Sequence, residues 1–292
     1  MERLLIVGSG DVARRAMPWL RARFRVFALV RSDEAADAWR GLGACPVRGD
    51  LDAPASLARI ARLAQALVLC APPPGEGADD PRMRRLLARL GAGRAPRRVV
   101  YVSSSGVYGD CAGALVSETR PVAPATARAR RRVAAETRLR AFAIRSGCAL
   151  RILRAPGIYA AGRLSLERLR RGDPVLRAEE DVFTNHVHAD DLARALGLAL
   201  FRGPRLRVFN ACDDSHLRMG DYYDAMADLA GLARPPRLAR TACAQRLGPQ
   251  SLSFMDESRR LLNTRIRREL RWLPRFADVR DGLAAALLPE GQ

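Results

Sequence analysis

Apolar residues follow two rhythms along this chain. Short unbroken runs such as Leu4-Leu5-Ile6-Val7 and Ala66-Leu67-Val68-Leu69-Cys70 alternate with longer stretches whose apolar positions recur at helical spacing. The unbroken runs predict strands at 3–7, 25–30, 44–48, 66–70, 98–103 and 149–154. The periodic stretches between them predict helices at 11–22, 33–42, 54–63, 80–91 and 127–146. Strands that are apolar on both faces, separated by helices, imply an α/β fold with a parallel, doubly wound sheet. Pro72-Pro73-Pro74-Gly75 ends the fourth strand, because proline cannot extend a ladder and glycine frees the turn. Past about residue 155 the alternation loosens: 164–171 reads as helix, 182–187 as extended, 190–202 as helix and 206–210 as a strand. Arginine-rich helices are expected over 218–231 and 253–288. The expected organisation is a sheet domain over 1–155 and a smaller lobe over 156–292, sharing one cleft.

In such sheets ligands bind beyond the carboxyl ends of the strands, so the residues after each strand carry the chemistry. The first strand runs into Gly8-Ser9-Gly10-Asp11-Val12-Ala13. A glycine pair between a strand and a helix is the setting in which a turn holds a dinucleotide pyrophosphate: Gly8 for the tight bend, Gly10 for close backbone approach, and Asp11 and Val12 opening the helix. Ala13 takes the place of the usual third glycine. The second strand ends at Arg31-Ser32, a guanidinium and a hydroxyl where a ribose 2′-phosphate would lie, so NADP(H) is favoured and NAD(H) remains open through Asp33 and Glu34. Asp50 and Leu51 follow the third strand, placed to flank an adenine ring; an Asp there also serves as a helix cap.

Composition narrows the partners. The chain has 292 residues, 48% of them hydrophobic, with a net charge of +19. All fifty basic side chains are arginine; there is no lysine. The arginines are spread over several helices with few aromatics between them, so a bias toward arginine explains the charge better than a specific nucleic-acid role. Six cysteines lie far apart without a Cys-x-x-Cys pair, which argues against zinc and against a disulfide framework. No apolar run approaches membrane-spanning length and the first strand begins at residue 3, so a reducing cytoplasm and no membrane partner are the expectation. Nothing in the sequence fixes an oligomeric state.

Four further motifs occur in order: Tyr101-Val102-Ser103-Ser104-Ser105-Gly106-Val107-Tyr108-Gly109, Leu153-Arg154-Ala155-Pro156-Gly157-Ile158-Tyr159, Asn185-His186-Val187-His188-Ala189-Asp190-Asp191-Leu192, and Val208-Phe209-Asn210-Ala211. Together they resemble the extended short-chain dehydrogenase/reductases, the NAD-dependent epimerase/dehydratase family, over nearly the whole chain. The resemblance implies that Ser104 hydrogen-bonds the reacting oxygen. Ser103 and Ser105 also suit a turn. It further implies a Tyr-x-x-x-Lys pair followed by a glutamate, and here Arg132-Val133-Ala134-Ala135-Glu136 supplies the tail. Arg132 then stands for the lysine and Arg128 for the tyrosine, four apart on one helix face. Arginine stays protonated throughout the working range and cannot shuttle the proton that accompanies hydride transfer. Arg128 could instead hold an anionic group beside Asn185, and Arg132 the ribose hydroxyls. Tyr108, Tyr159 and His186 are the substitute acids by motif position, with histidine favoured on intrinsic pKa. His188 is expected to orient its loop and Asp191 to cap the helix after it. Two readings stand: an NAD(P)-dependent oxidoreductase or epimerase/dehydratase-like enzyme acting on a polar, anionic small molecule, or a non-catalytic NADP(H)-binding sensor.

Overall fold

The computed structural model describes residues 1–288. Seven parallel strands form the central sheet: β1 (Glu2–Val7), β2 (Phe24–Val30), β3 (Cys45–Arg48), β4 (Ala66–Leu69), β5 (Arg98–Ser104), β6 (Ala149–Ala155) and β7 (Leu206–Asn210). Their spatial order is β7-β6-β5-β4-β1-β2-β3. The order reverses at β1, which leaves a crevice at the carboxyl end of β1 and β4.

Strand periodicity explains the two cores. Along β1, Leu4 and Ile6 point to one face, where they pack with Val12, Ala16 and Leu20 of α1 (Asp11–Arg21) and with Trp39 of α2 (Asp33–Gly41). Leu5 and Val7 point to the other, against Leu86 and Leu90 of α3 (Pro81–Gly91) and Leu139 and Phe142 of α4 (Ala127–Ser146). A strand buried on both faces cannot alternate with polar residues, which is why these runs are continuous in the sequence.

Three expectations are corrected. The segment predicted as a helix over 54–63 is a 3₁₀ turn, Pro54–Ile60, that buries only Leu57 and Ile60. The boundary near 155 also does not divide the chain cleanly. β7 pairs in parallel with β6, and α5 (Ala189–Ala199) packs on the same face of the sheet as α1, so part of the second half completes the nucleotide-binding layer. The rest forms the smaller lobe around Tyr159, Leu169, Met226, Val279 and Leu283. Within the expected extended stretch 182–187, only His186 and Val187 lie in a strand, His186–His188, which pairs with Gly157–Tyr159.

Candidate functional site

A cleft of about 660 Å³ opens at the crevice, lined by Gly8, Ser9 and Gly10 of the first turn, by Arg31 and Ser32 after β2, by Asp50 and Leu51 after β3, and by Cys70 and Ala71 after β4. Gly8 has φ +96°, and a Cβ there would lie 2.0 Å from the Ala71 amide nitrogen, so the turn presses against the end of β4 as only glycine allows. A Cβ on Gly10 would meet nothing within 4 Å. The turn is tight behind and open in front, and the amides at the start of α1 lack intrahelical acceptors, so the residues present fit a dinucleotide pyrophosphate.

The side chains at the helix start have other tasks than the sequence suggested. Val12 is buried in the core, so only its amide is available to the cleft. Asp11 accepts from Arg15 Nε at 2.9 Å and pairs with Arg163 of the smaller lobe at 3.4 Å. At the other end of the cleft, Ser32 caps α2 by accepting from the Ala35 amide. Asp33 turns to Arg48 at 3.6 Å, and the Glu34 carboxyl is held below its ordinary range first by the Ser32 hydroxyl. Asp50 accepts from the Asp52 amide within its own loop. Arg31 continues from the cleft into an adjoining groove that it shares with Arg48 and Arg59. Burial pushes the Cys70 thiol up to about 12, which makes it unreactive.

A second pocket, of about 410 Å³, lies between the end of β5 and the smaller lobe, with Ser104 in its wall. Ser104 Oγ also accepts from the Gly106 amide at 3.2 Å and so fixes the 3₁₀ turn Ser105–Tyr108. Four arginines line this pocket, Arg128, Arg163, Arg168 and Arg259, against one carboxylate, Glu257. Arg128 lies 4.4 Å over the Phe254 ring, and burial pulls its guanidinium below the ordinary arginine value. Arg259 and Glu257 were not foreseen. Arg259 Nη1 donates to the Gly109 carbonyl at 2.8 Å and to Glu257 Oε2 at 2.9 Å.

Several sequence expectations fail at this pocket. Tyr108 does not reach it; its hydroxyl donates to Asn210 Oδ1 at 2.7 Å inside the protein, and burial raises its pKa. Tyr159 lines the pocket, but its hydroxyl packs where a Cβ on Gly282 would lie 2.0 Å away, and burial raises its pKa well above the ordinary phenol. His186 is stacked on Tyr222 at 3.8 Å, and burial lowers its pKa to about 3. Its imidazole is therefore neutral at physiological pH and is no general acid of the expected kind. Asn185 holds neither end of its amide free: it donates to the Arg259 carbonyl and accepts from the Leu261 amide, positioning the loop that carries Glu257. Arg132 is drawn onto β5, where Nη1 donates to the Tyr101 hydroxyl and the Val102 carbonyl, both at 3.0 Å. Asp191 accepts from the amides of Arg275 and Phe276 and anchors that loop rather than its own helix, whereas His188 caps α5 through the Asp190 amide. Ser103 donates to Glu136 rather than forming a turn.

Among the described residues, no group of three His, Cys, Asp or Glu converges as a metal site. No described helix is long and apolar enough to cross a membrane.

Residues 8–200 match a family described as NAD(P)H-binding. A stretch of 176 residues is 32% identical to Protein YeeZ of Escherichia coli K12, covering 59% of this chain and 61% of that protein's length. Among solved structures, a conserved protein of unknown function from Silicibacter pomeroyi superposes with a TM-score of 0.82 and 29% identity over 98% of both chains. The UDP-glucose 4-epimerase of Thermotoga maritima superposes with a TM-score of 0.76 and 18% identity over 98% of this chain and 97% of that one, a likeness of fold. With the glycine turn, the switch-point cleft and this match over residues 8–200, the chain belongs to the NAD(P)H-binding family and has the fold of the NAD-dependent epimerase/dehydratases.

Proposed function

We infer that the protein is an NADP(H)-dependent oxidoreductase or epimerase-like enzyme acting on a polar, anionic small molecule. The observation that carries this reading is the arginine-lined pocket with Ser104 in its wall, at the carboxyl end of the same sheet as the glycine-turn cleft. A bound nicotinamide would supply or accept a hydride there. Ser104 would orient the substrate oxygen, and Arg128 would hold the anionic group. The proton duty of the absent tyrosine passes to another lining residue, of which Glu257 is the one carboxylate. NADP(H) is favoured because the two acids beside Arg31 have other partners, Asp33 taking Arg48, which leaves Arg31 with Arg59 in the adjoining groove for a 2′-phosphate.

Arg31→Ala is accordingly expected to weaken NADPH by about tenfold or more, as for loss of a charge-assisted contact, while NADH changes little. Isothermal titration of both cofactors against both proteins checks this. Equal affinities in the unaltered protein would mean that Arg31 does not read the phosphate.

A sensor without catalysis is the second reading, favoured by the fate of Tyr108, Tyr159 and His186, none of which offers a proton that titrates near neutrality. NADPH oxidation against a panel of anionic carbonyl compounds separates the two. The enzyme reading expects turnover that drops at least about tenfold in Arg128→Gln, through loss of an ionic contact to substrate. NADPH binding without turnover of any compound would leave the sensor.

A further inference from the structure

Among the described residues, eleven have a buried side-chain polar atom without a hydrogen-bond partner, and besides Tyr159, whose hydroxyl faces Gly282, four of those residues line the second pocket: Arg168, His186, Glu257 and Arg259. Buried polar groups are normally paired, so such a concentration marks a place where a ligand's polar atoms belong. The mix of groups says what kind of ligand. Arg128 and Arg259 are cations close to Glu257, and the Arg259 Nε has no partner. Glu257 is 8% exposed; its Oε2 is held by Arg259, and its Oε1 has no donor. A Cβ added to Gly106 would lie 3.4 Å from Ser104 Oγ and 4.0 Å from Glu257 Oε2, so the hydroxyl and the carboxylate border one small space. Apolar and aromatic surface completes the wall, from Ile158, Met219, Tyr222 and Phe254.

We propose that this pocket is a seat for a 2-hydroxycarboxylate with an apolar or aromatic side group. Arg128 and Arg259 take the ligand carboxylate, matching its planar charge with guanidinium forks. Glu257 accepts the proton of the adjacent hydroxyl as a hydrogen bond, and Ser104 meets the same oxygen. The side group lies against Tyr222 and Phe254. Arg128, whose charge burial disfavours and whose nearby carboxylate Glu257 is already paired with Arg259, gains from the anion. A simple monocarboxylate would satisfy the arginines and leave Glu257 Oε1 without a donor. A neutral alcohol would do the reverse. The assignment rests on reading this pocket as the substrate site beside a dinucleotide.

The test uses three probes of one skeleton: 3-phenyllactate, 3-phenylpropionate, which lacks the hydroxyl, and 3-phenyllactamide, which lacks the charge. Each is titrated calorimetrically into the whole protein, and NADPH is titrated into the same preparation. Phenyllactate is expected to bind at least about tenfold more tightly than either analogue, since each lost contact leaves a charged or buried group unpaired. Glu257→Met should level the hydroxy and deoxy acids, and Arg128→Gln should level the acid and the amide. If Glu257→Met does not fold, the wild-type series and Arg128→Gln still decide. Equal binding of all three probes, or binding of none, overturns the seat. NADPH binding alongside that result leaves the cofactor reading intact, whereas a phenyllactate preference without NADPH binding supports the seat and overturns the cofactor.

Discussion

Gly10→Val is expected to abolish NADPH binding in a protein that still folds, whereas the same change at Gly8 is expected to unfold the nucleotide half. The two glycines stand two residues apart and face opposite obstacles. At Gly8 the backbone is left-handed, and a new Cβ would lie 2.0 Å from the Ala71 nitrogen and 2.4 Å from the Cys70 carbonyl carbon, all main chain that cannot turn aside. At Gly10 the backbone is extended, φ −87° and ψ −170°, and the added carbon enters open space. Valine there should reduce stability by only about 1 kcal/mol as a poorer helix cap. It should nevertheless fill the volume where the pyrophosphate approaches the amides of α1. A loss of at least about a hundredfold in affinity, on the order of 2.7 kcal/mol, is the expected calorimetric result. Retained NADPH affinity in a folded Gly10→Val protein would remove the turn from the cofactor site.

That contrast between neighbouring residues shows what the sequence makes legible. The turn, the first six strands and the order of the motifs could be read directly, because strands buried on both faces leave long apolar runs and a glycine turn depends on local backbone chemistry. What depends on distant partners could not. β7 reads as a strand at 206–210, but nothing local says that it pairs with β6, so it fell into the smaller lobe. The motif position of His186 brings it to the pocket, where Tyr222 stacks on it, whereas its lowered pKa comes from burial, which no neighbouring residue encodes. Glu257 and Arg259 belong to no motif. They reach the pocket because Asn185, 74 residues away from Arg259, bonds to the loop that carries them. Tyr108 shows the opposite case, a motif residue whose part is structural.

That structural part makes Glu136→Ala a substitution expected to cost about 3–5 kcal/mol of stability, the range for breaking a buried ion pair from one side. Glu136 and Arg154 are each 3% exposed. Arg154 Nε donates to Glu136 Oε1 at 3.1 Å and Nη2 to Oε2 at 2.7 Å, while the Ser103 hydroxyl donates to Oε1 at 2.7 Å. Arg154 also lies 4.7 Å over the Tyr108 ring, and Tyr108 continues the chain to Asn210, whose amide nitrogen reaches the Val116 and Leu262 carbonyls. The glutamate that follows the family's usual pair is thus the centre of a network joining α4, β5, β6 and β7. Removing it leaves a guanidinium in the interior without its counter-charge, and that unpaired cation causes most of the loss. The double change Glu136→Met with Arg154→Met should therefore recover much of the stability, because apolar side chains of similar length replace both charges at once. Urea unfolding of the three proteins, followed by tryptophan fluorescence, gives the measurement. A loss below about 1 kcal/mol in Glu136→Ala would match an exposed pair and mean that water reaches Arg154. The consequence for function follows from adjacency. Ser103, which bonds to Glu136, immediately precedes Ser104, so loosening this network should disturb Ser104 and weaken ligand binding even at temperatures where the protein remains folded.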